Sequence, residues 1–252
     1  MDFTDQIILV TGASRGIGRA IALQFAEKGG RVAVHYNSNA QAAAETLASL
    51  AGTGHLVVQA DLADSAAVER MVETVVSQMG GLNVLVNNAA IYEDHPVAKV
   101  DYSTWQTSWL QTIQTNLLGA ANATYCAAQH MMGHGGGRII NISSRGAFRG
   151  EPDAPAYAAS KAGLNAMGQS LAKALGAHKI YITTVAPGWV ETDMAAAHLA
   201  GPDGDSIRAQ SPLGRVATPD DVAYTVLFLA SEGAEFLTGT IVDVNGASYL
   251  RM

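Results

Sequence analysis

A tyrosine and a lysine stand four residues apart in the segment Tyr157-Ala-Ala-Ser-Lys161. Residues at this spacing on a helix lie on one face, with their Cβ atoms about 5–6 Å apart. A positive charge this close favours ionisation of the phenol, whose unperturbed pKa is about 10. We therefore expect Lys161 to lower the pKa of Tyr157, so that the tyrosine exchanges a proton with a substrate oxygen near neutral pH. Because Tyr-x-x-x-Lys also arises by chance, the motif needs support from the rest of the chain.

A glycine-rich turn, Thr11-Gly-Ala-Ser-Arg-Gly-Ile-Gly18, follows the first apolar run and precedes a helical pattern. Glycine permits positive φ angles and close approach of a ligand to the backbone. The N-terminus of the following helix offers unpaired N–H groups and the positive end of its dipole to a pyrophosphate. Alone, the pattern is equally consistent with a plain tight turn, but in a βαβ unit it predicts a dinucleotide site. The residues that we expect to contact the dinucleotide here are Gly12, Ser14, Arg15, Gly16, Ile17 and Gly18.

Charges near the second predicted strand indicate which dinucleotide binds. A carboxylate about 20 residues beyond the turn would bond the ribose 2′-OH of NAD and would repel the 2′-phosphate of NADP. No acidic residue occurs between Glu27 and Glu45, while Arg15 supplies a cation within the turn. The pattern favours NADP(H) over NAD(H); the alternative is a solvated Arg15 and loose selectivity. The strand ends in three further residues expected to bind the cofactor, Tyr36, Asn37 and Ser38.

Apolar runs alternate with helical patterns along the whole chain. This alternation predicts an α/β fold, a Rossmann-type doubly wound parallel sheet of seven strands with helices on both faces. The predicted strands are 6–11, 31–36, 55–59, 83–87, 138–143, 180–186 and 240–244. The predicted helices are one that starts at 17 and stops at the glycines 29–30, then 40–51, 65–79, 103–132, 157–176 and 219–231. No linker or internal repeat interrupts the pattern, so we expect a single domain over residues 1–252.

Two segments carry helix-start signals. Ser103-x-x-Gln106 is typical of a capping box. Thr218-Pro-Asp-Asp221 supplies an N-cap, a proline at the first helical position and acids at the positive end of the helix. We expect helices to begin at both places.

Composition and charge exclude several classes of protein. The formal net charge is −7 and the pI is near 5.4, so we expect no nucleic-acid partner, because such proteins usually carry a basic stripe. Cys126 is the only cysteine, which excludes an intrachain disulfide and a thiolate metal cluster and favours a reducing, cytoplasmic location. We expect no bound metal. The apolar run Ile7–Val10 is too short for a signal peptide or a membrane span.

Further motifs follow the glycine turn in a fixed order. They are Asp61-Leu62, Asn87-Asn-Ala-Ala90, Asn116, Ser144, Tyr157-x-x-x-Lys161, and Pro187-Gly188 with Thr192. As a set they resemble the short-chain dehydrogenase/reductase family, from Gln6 to Gly246. The family's Asn-Asn-Ala-Gly usually ends in glycine, whereas Ala90 stands here and adds a methyl group.

The resemblance implies a role for each matching residue. Hydride transfer to a ketone builds negative charge on its oxygen, which Ser144 would polarise and Tyr157 would protonate. Lys161 would lower the tyrosine pKa and hold the nicotinamide ribose, and Asn116 would order a water linking Lys161 to solvent. Asp61 would accept a hydrogen bond from the adenine amino group. The other implied cofactor contacts are Leu62, Asn88, Ala89, Ala90, Pro187, Gly188, Val190 and Thr192, besides Tyr157 and Lys161 themselves.

Within the family the sequence most resembles the β-ketoacyl-acyl-carrier-protein reductase branch, in length and in the segments Tyr157–Gly163 and Pro187–Met194. This implies a 3-oxoacyl thioester as substrate and an acyl carrier protein as partner. That branch docks the acidic carrier with two arginines, and the corresponding positions here are Gly135 and His178, the second followed by Lys179. The charged loop 145–153 instead favours a small polar ketone, a sugar or a hydroxy acid, reduced with NAD(H) or NADP(H).

Two alternatives come from other classes of protein. A regulator that binds a dinucleotide without turnover has no need of the set Asn116, Ser144, Tyr157 and Lys161. The segment His134-Gly-Gly-Gly resembles an esterase oxyanion loop, but no Gly-x-Ser-x-Gly turn accompanies it. We expect residues 189–215 to form a mobile lid over the substrate, with His198 solvated in a loop.

The resemblance also implies a homotetramer joined through the helices 103–132 and 157–176 and the C-terminal strand. A hydrophobic content of 48% with only 15% charged residues agrees with surface hidden between subunits. The alanines expected to allow close helix approach are Ala120, Ala121, Ala123, Ala127, Ala128, Ala158, Ala159, Ala162 and Ala166.

Overall fold

The computed structural model describes residues 1–251. The strands in this range are β1 Ile7–Val10, β2 Arg31–Tyr36, β3 Leu56–Gln59, β4 Val84–Asn87, β5 Gly137–Ile142, β6 Ile180–Pro187 and β7 Ile241–Val244. Within residues 1–251 these strands form one seven-stranded sheet in the order β3-β2-β1-β4-β5-β6-β7. Every neighbouring pair of strands in it is parallel. The predicted sheet is confirmed.

Helices connect the strands and cover both faces of the sheet. They are α1 Gly16–Glu27, α2 Ala40–Ala48, α3 Ser65–Met79, α4 Tyr102–Ile113, α5 Gly119–Gly133, α6 Gly146–Arg149, α7 Pro155–Leu175, α8 Asp193–Ala200, α9 Gly204–Ala209 and α10 Pro219–Ala230. One buried cluster joins α1 and α10 to the sheet. A second cluster joins α3, α5 and the end of α7 to the other face. This two-sided burial explains why the central strands are apolar throughout.

The order of the strands reverses at β1, and this reversal positions the site. Val10 at the end of β1 pairs with Val34 of β2 on one side and with Val86 of β4 on the other. The chain leaves β1 toward β2 and β3, whereas β4 begins the opposite half of the sheet. The connections that follow β1 and β4 therefore diverge and leave a crevice at the carboxyl edge, where doubly wound folds bind ligands.

The predicted helix 103–132 is confirmed, because helical structure runs without a break from Tyr102 to Gly133, but the helix is not regular throughout. A π-helical turn, Gln114–Leu118, separates α4 from α5. Asn116 lies in this turn and is buried. An extra residue in one helical turn is a recurrent feature of functional sites. Apolar residues keep nearly helical spacing across the turn, so the sequence pattern did not show it.

The capping box predicted at Ser103 is wrong. The helix begins at Tyr102, and the side chain of Asp101 accepts a hydrogen bond from Thr104 N at 2.7 Å. An aspartate was available two residues earlier and takes the N-cap position. The second predicted start is confirmed: Thr218 and Asp221 form a reciprocal capping box at α10.

Part of the predicted alanine interface is wrong as well. The buried set is Ala120, Ala123, Ala127 and Ala128, which pack inside the subunit. Helical periodicity turns this face of α5 toward α3 and the sheet, so none of the four is free to meet another subunit. Ala162 and Ala166 on α7 are exposed. The large apolar side chains exposed along this helical layer include Leu110 of α4, Leu118 of the π-helical turn and Tyr125 of α5.

Replacing Thr218 by alanine tests the capping box. The substitution removes the acceptor for Asp221 N, a bond of 3.2 Å, and a lost N-cap costs about 1 kcal/mol of unfolding free energy. Urea unfolding should show this decrease, and Thr218→Ser should restore most of it. Ser103→Ala is the matched control and should change the free energy by less than about 0.5 kcal/mol. A larger loss at Ser103 than at Thr218 would contradict the assignment of the caps.

Candidate active site

A cleft of about 580 Å³ opens at the carboxyl edge of the sheet. Its walls come from the turn after β1, the ends of β2, β4 and β5, the start of α7, and the segment that runs from the end of β6 into α8. The sheet therefore brings together segments that lie far apart in the sequence. These include the glycine turn and the Tyr-x-x-x-Lys motif.

Three of the predicted catalytic side chains meet in this cleft. Ser144 follows β5, and its Oγ accepts a hydrogen bond from Gly146 N at 3.0 Å. Tyr157 and Lys161 lie one turn apart near the start of α7. The Lys161 Nζ is 5.6 Å from the centre of the Tyr157 ring and donates a hydrogen bond of 2.7 Å to Ile142 O. The lysine therefore faces the ring of Tyr157 and is hydrogen-bonded to the end of β5.

The expectation that Lys161 lowers the pKa of Tyr157 is wrong for this structure. Loss of hydration raises the pKa of Tyr157 to about 12, against a smaller lowering by a hydrogen bond with Ser144. The ammonium of Lys161 is desolvated too, and its pKa falls to about 8. Burial disfavours the charged form of each group and is the largest influence on both pKa values. Tyr157 thus keeps its proton at neutral pH, as a proton donor requires.

Asn116 does not line the cleft, but it is hydrogen-bonded to segments that lie beside it. It is buried, and its Oδ1 accepts a hydrogen bond of 2.8 Å from Ile91 N. Its Nδ2 donates to Ile91 O at 2.9 Å and to Ser160 Oγ at 3.2 Å. The π-helical turn thus ties the segment after β4 to α7. The water link from Asn116 to Lys161 remains a prediction.

The glycine turn has the backbone conformation that its sequence predicts. Gly12 and Gly16 have φ angles of 63° and 54°, in the left-handed region. A Cβ added to Gly18 would lie 2.3 Å from Gly12 O and 2.5 Å from the Asn88 side chain. Gly18 therefore serves close packing of α1 under the turn and does not line the cleft. The predicted turn residues that do line it are Gly12, Ser14, Arg15, Gly16 and Ile17.

The turn is tied to the neighbouring strand end by Asn88 and Thr11. Asn88 Nδ2 donates to Thr11 O at 2.8 Å and to Gly12 O at 3.2 Å. Thr11 Oγ1 accepts from Asn88 N at 2.9 Å and from Ala89 N at 3.0 Å. These bonds hold together the segments that follow β1 and β4, at the place where the strand order reverses. Among the other predicted cofactor contacts, the lining includes Tyr36, Asn37, Ser38, Leu62, Asn88, Ala89, Ala90, Pro187, Gly188, Val190 and Thr192.

Asp61 and Arg15 have surroundings that the sequence did not reveal. Asp61 is exposed outside the lining, and its Oδ1 accepts from Ala63 N at 2.9 Å. Arg15 faces Asp193 of α8 at 3.8 Å, with side chains 74% and 75% exposed. A salt bridge between side chains as exposed as these contributes little to stability. Arg15 remains available to an anion in the cleft.

An aromatic wall beside Tyr157 was missed at the sequence level. Tyr92 contacts the Tyr157 ring edge to face, with centroids 5.0 Å apart. Trp189 and His198 lie 5.4 Å apart between centroids. His198 is exposed as expected, but it lies in α8 and its ring also faces Tyr92 at 6.4 Å. Their positions in the sequence could have indicated this wall, since Tyr92 closely follows the Asn-Asn-Ala-Ala motif and Trp189 follows Pro187-Gly188.

The segment expected to form a lid contains two short helices, α8 and α9. The segment is hydrogen-bonded to Arg145, the residue after Ser144. The side chain of Arg145 is buried, which its sequence did not indicate. The guanidinium donates 2.7 Å hydrogen bonds to Gln210 Oε1 and to Ser248 Oγ. Burial lowers the pKa of Arg145 to about 10, so it stays charged at neutral pH.

Comparison with known proteins identifies this arrangement. The family described as "Enoyl-(Acyl carrier protein) reductase" matches residues 12–247. The chain belongs to the short-chain dehydrogenase/reductase family. It is 40% identical to the 3-oxoacyl-[acyl-carrier-protein] reductase FabG of Staphylococcus aureus over 96% of this chain and 97% of the relative. The FabG of Aquifex aeolicus is 36% identical, with 97% of both chains covered.

Solved structures of similar proteins agree with this family assignment. A short-chain dehydrogenase from Burkholderia cenocepacia J2315, in complex with NADP, has a TM-score of 0.88 and 33% identity and covers 98% of this chain and 99% of its own. A dehydrogenase/reductase from Sinorhizobium meliloti 1021 has a TM-score of 0.89 and 30% identity, covering 99% and 97%. The resemblance seen in the motifs, including that to the β-ketoacyl reductase branch, is confirmed.

This short-chain dehydrogenase/reductase is an NAD(P)-dependent oxidoreductase that acts on CH–OH groups. Its own residues fit a dinucleotide, because the turn has two glycines at positive φ beneath the first turn of α1, whose N–H groups have no helical partner. The match to oxidoreductases does not support the alternative of a regulator that binds a dinucleotide without turnover. In residues 1–251, no helix has both the length and the apolar content needed to cross a bilayer.

The pKa of Tyr157 makes the two reaction directions respond differently to pH. Alcohol oxidation needs the deprotonated tyrosine as base, and its fraction grows about tenfold per pH unit below a pKa of about 12. The kcat for oxidation should therefore keep rising above pH 8, whereas ketone reduction uses the protonated form that is already present. Steady-state kinetics from pH 6 to 10 measure both directions.

Tyr157→Phe provides the control for this profile. It keeps the ring that packs on Tyr92 and removes the hydroxyl, so it should lower kcat by at least about 100-fold while leaving cofactor binding nearly intact. An oxidation rate that levels off near pH 7 in the parent would show a lowered tyrosine pKa. A variant that keeps more than about a tenth of the parent kcat would remove Tyr157 as the acid.

Proposed function

We propose that this enzyme is an NADPH-dependent reductase of 3-oxoacyl thioesters, the 3-oxoacyl-[acyl-carrier-protein] reductase type of activity. The observation that carries the proposal is 40% identity to a FabG over nearly the full length of both chains. The site adds support, since Ser144, Tyr157 and Lys161, three residues of the set that resembles the family's catalytic residues, line the cleft together.

Bound NADPH would supply the hydride. The turn residues and the first turn of α1 would hold its pyrophosphate, and Lys161 would hold the nicotinamide ribose. Ser144 would orient the substrate ketone and stabilise charge that develops on its oxygen. Tyr157 would then deliver its proton to that oxygen, leaving the tyrosine to be reprotonated from solvent. The rings of Tyr92 and Trp189 would exclude water from the substrate side.

NADP(H) is favoured over NAD(H) by the charges along the adenosine side of the cleft. Arg15 lines the cleft and has only an exposed, weak pairing with Asp193. The end of β2 contributes the neutral residues Asn37 and Ser38 to the same wall. Without a carboxylate from this strand, nothing on it opposes a 2′-phosphate. The relative from Burkholderia cenocepacia was solved with NADP.

Arg15→Ala tests this cofactor preference. Loss of a charge-assisted contact should raise the Kd for NADPH about tenfold and leave the Kd for NADH unchanged. Fluorescence titration measures both constants. Arg19→Ala is the matched control, because Arg19 lies one turn further along α1, is exposed and does not line the cleft. Equal affinities for NADPH and NADH in the parent would remove the preference altogether.

A second candidate substrate is a small polyhydroxylated ketone, which a charged pair in the cleft favours. Arg149 Nη2 lies 3.4 Å and 3.2 Å from the two carboxylate oxygens of Glu151, and both residues line the cleft. Their side chains are 33% and 15% exposed. Such a pair offers donors and acceptors to hydroxyl groups, whereas an acyl chain would leave it unused. The missing docking arginines at Gly135 and His178 point the same way.

A substrate panel separates the two candidates. NADPH oxidation is measured with 3-oxobutyryl thioesters of acyl carrier protein and of coenzyme A, and with keto sugars. The thioester proposal expects kcat/KM for a thioester at least about tenfold above that for any keto sugar. Glu151→Gln should then have little effect on thioester turnover. A tenfold preference for keto sugars, lost in Glu151→Gln, would replace the thioester proposal.

Lys179→Gln asks whether a carrier protein is recognised. If Lys179 helps to dock an acidic carrier, the variant should raise KM for the carrier thioester alone. Equal changes for the carrier and coenzyme A thioesters would argue against docking at this position.

We further propose a cytoplasmic, single-domain subunit that assembles as a homotetramer. The exposed side chains Leu110, Leu118 and Tyr125 on one helical layer and Ala162 and Ala166 on α7 support helix-mediated association. They replace the inner alanines as the expected contact surface.

A further inference from the structure

His35 is a buried histidine that the reaction itself does not use. It lies in β2, one residue before the strand ends, and is 1% exposed. Its Nδ1 accepts a hydrogen bond of 2.9 Å from Gly12 N, and its Nε2 is 3.1 Å from Ala60 O. One imidazole therefore spans from the turn after β1 to the end of β3, across the carboxyl edge of the sheet.

The two contacts fix the protonation state of the ring. Because Gly12 N is a donor, Nδ1 must be unprotonated, and Nε2 then carries the hydrogen that it donates to Ala60 O. Burial lowers the pKa of His35 to about 4, although Ala60 and the charge of Asp61 favour the protonated form. The ring is neutral at physiological pH and keeps its acceptor.

The bond from Gly12 holds the first peptide of the glycine turn. Gly12 has a φ of 63°, and its carbonyl accepts from Asn88 Nδ2. His35 takes the N–H of the same residue, and His35 O accepts from Ala13 N at 2.8 Å. The two peptides on either side of the Gly12 Cα are thus each held from the β4 side by Asn88 and from the β2 side by His35. The N–H groups of Gly12 and Ala13 are both directed at β2, so a ligand in the cleft is left with the N–H groups that follow Ala13.

We propose that His35 is a positioning residue for the dinucleotide, acting through its Nδ1 bond to Gly12. This rests on the proposed binding of NADPH at the turn. The bond selects one orientation of a flexible glycine peptide before the ligand arrives, so ordering this peptide adds no cost on binding. The bond to Ala60 joins β2 to the end of β3 and contributes only to stability.

The chain contains a matched control at the opposite end of β2. His55 Nδ1 accepts from Val32 N at 3.1 Å, and its Nε2 is 2.9 Å from Ala51 O. This histidine also bridges a strand amide and a carbonyl, but it lies at the amino edge and does not line the cleft. A purely structural role would give His35 and His55 the same consequences.

Two substitutions at His35 separate its two bonds. The carboxamide oxygen of Asn occupies the position of Nδ1 and can accept from Gly12, whereas the longer Gln reaches the position of Nε2 and can donate to Ala60. Each variant keeps one bond, so both should lower Tm by similar amounts. The Kd for NADPH should stay within about twofold in His35→Asn and rise about tenfold in His35→Gln, because Gly12 N is left unpaired. His55→Gln should lower Tm and leave Kd unchanged.

Equal Kd values in His35→Asn and His35→Gln would overturn the positioning role, and so would a tenfold loss in His35→Asn alone. A parent that does not bind NADPH would refute the proposed function instead. Nitrogen NMR of the parent gives a test that does not depend on any variant folding. A ¹⁵N–¹H correlation showing His35 protonated at Nε2 and free at Nδ1 supports the proposal, and the opposite tautomer overturns it.

Discussion

The site depends on how one flexible peptide is held where the sheet reverses direction. Gly12 has no side chain to restrict it, and its φ of 63° lies where other residues are strained. Hydrogen bonds from Asn88 after β4 and to His35 on β2 secure it on both sides. The start of α1, and with it the group of N–H donors at the edge of the cleft, follows from that peptide. The spacing of β1, β2 and β4 in the sheet therefore determines where the N–H groups lie at the edge of the cleft.

Desolvation is the second constraint, and it decides the electrostatics of the catalytic motif. Tyr157 and Lys161 are close, but both have lost hydration, and each shifts toward its neutral form. The protonated phenol suits reduction, in which the tyrosine gives up a proton. Charge on Glu151 also opposes ionisation of Tyr157. The loop that distinguishes candidate substrates therefore also influences the acid.

Sequence patterns predicted the fold well because both faces of a parallel sheet must be covered, which leaves continuous apolar strands that are easy to recognise. The glycine turn and the Tyr-x-x-x-Lys motif were equally visible, since each is a local pattern. The lowered pKa expected for Tyr157 was wrong because burial is set by residues distant in sequence. Likewise, His35 resembles any polar residue at a strand end; its partners lie 23 and 25 positions away and become apparent only when three strands are aligned.

The π-helical turn between α4 and α5 takes up one residue more than a regular helix would. Its hydrogen bonds join residues five apart, whereas those of an α-helix join residues four apart. The extra residue is absorbed within Gln114–Leu118, so α5 keeps the buried face on which Ala123, Ala127 and Met131 pack against α3 and the sheet. Deleting one residue from this turn would leave a regular helix with nearly the same buried face, but it would remove the bulge that brings Asn116 to Ile91 and Ser160. The packing of this helical layer and the placement of Asn116 are therefore separate consequences of one inserted residue.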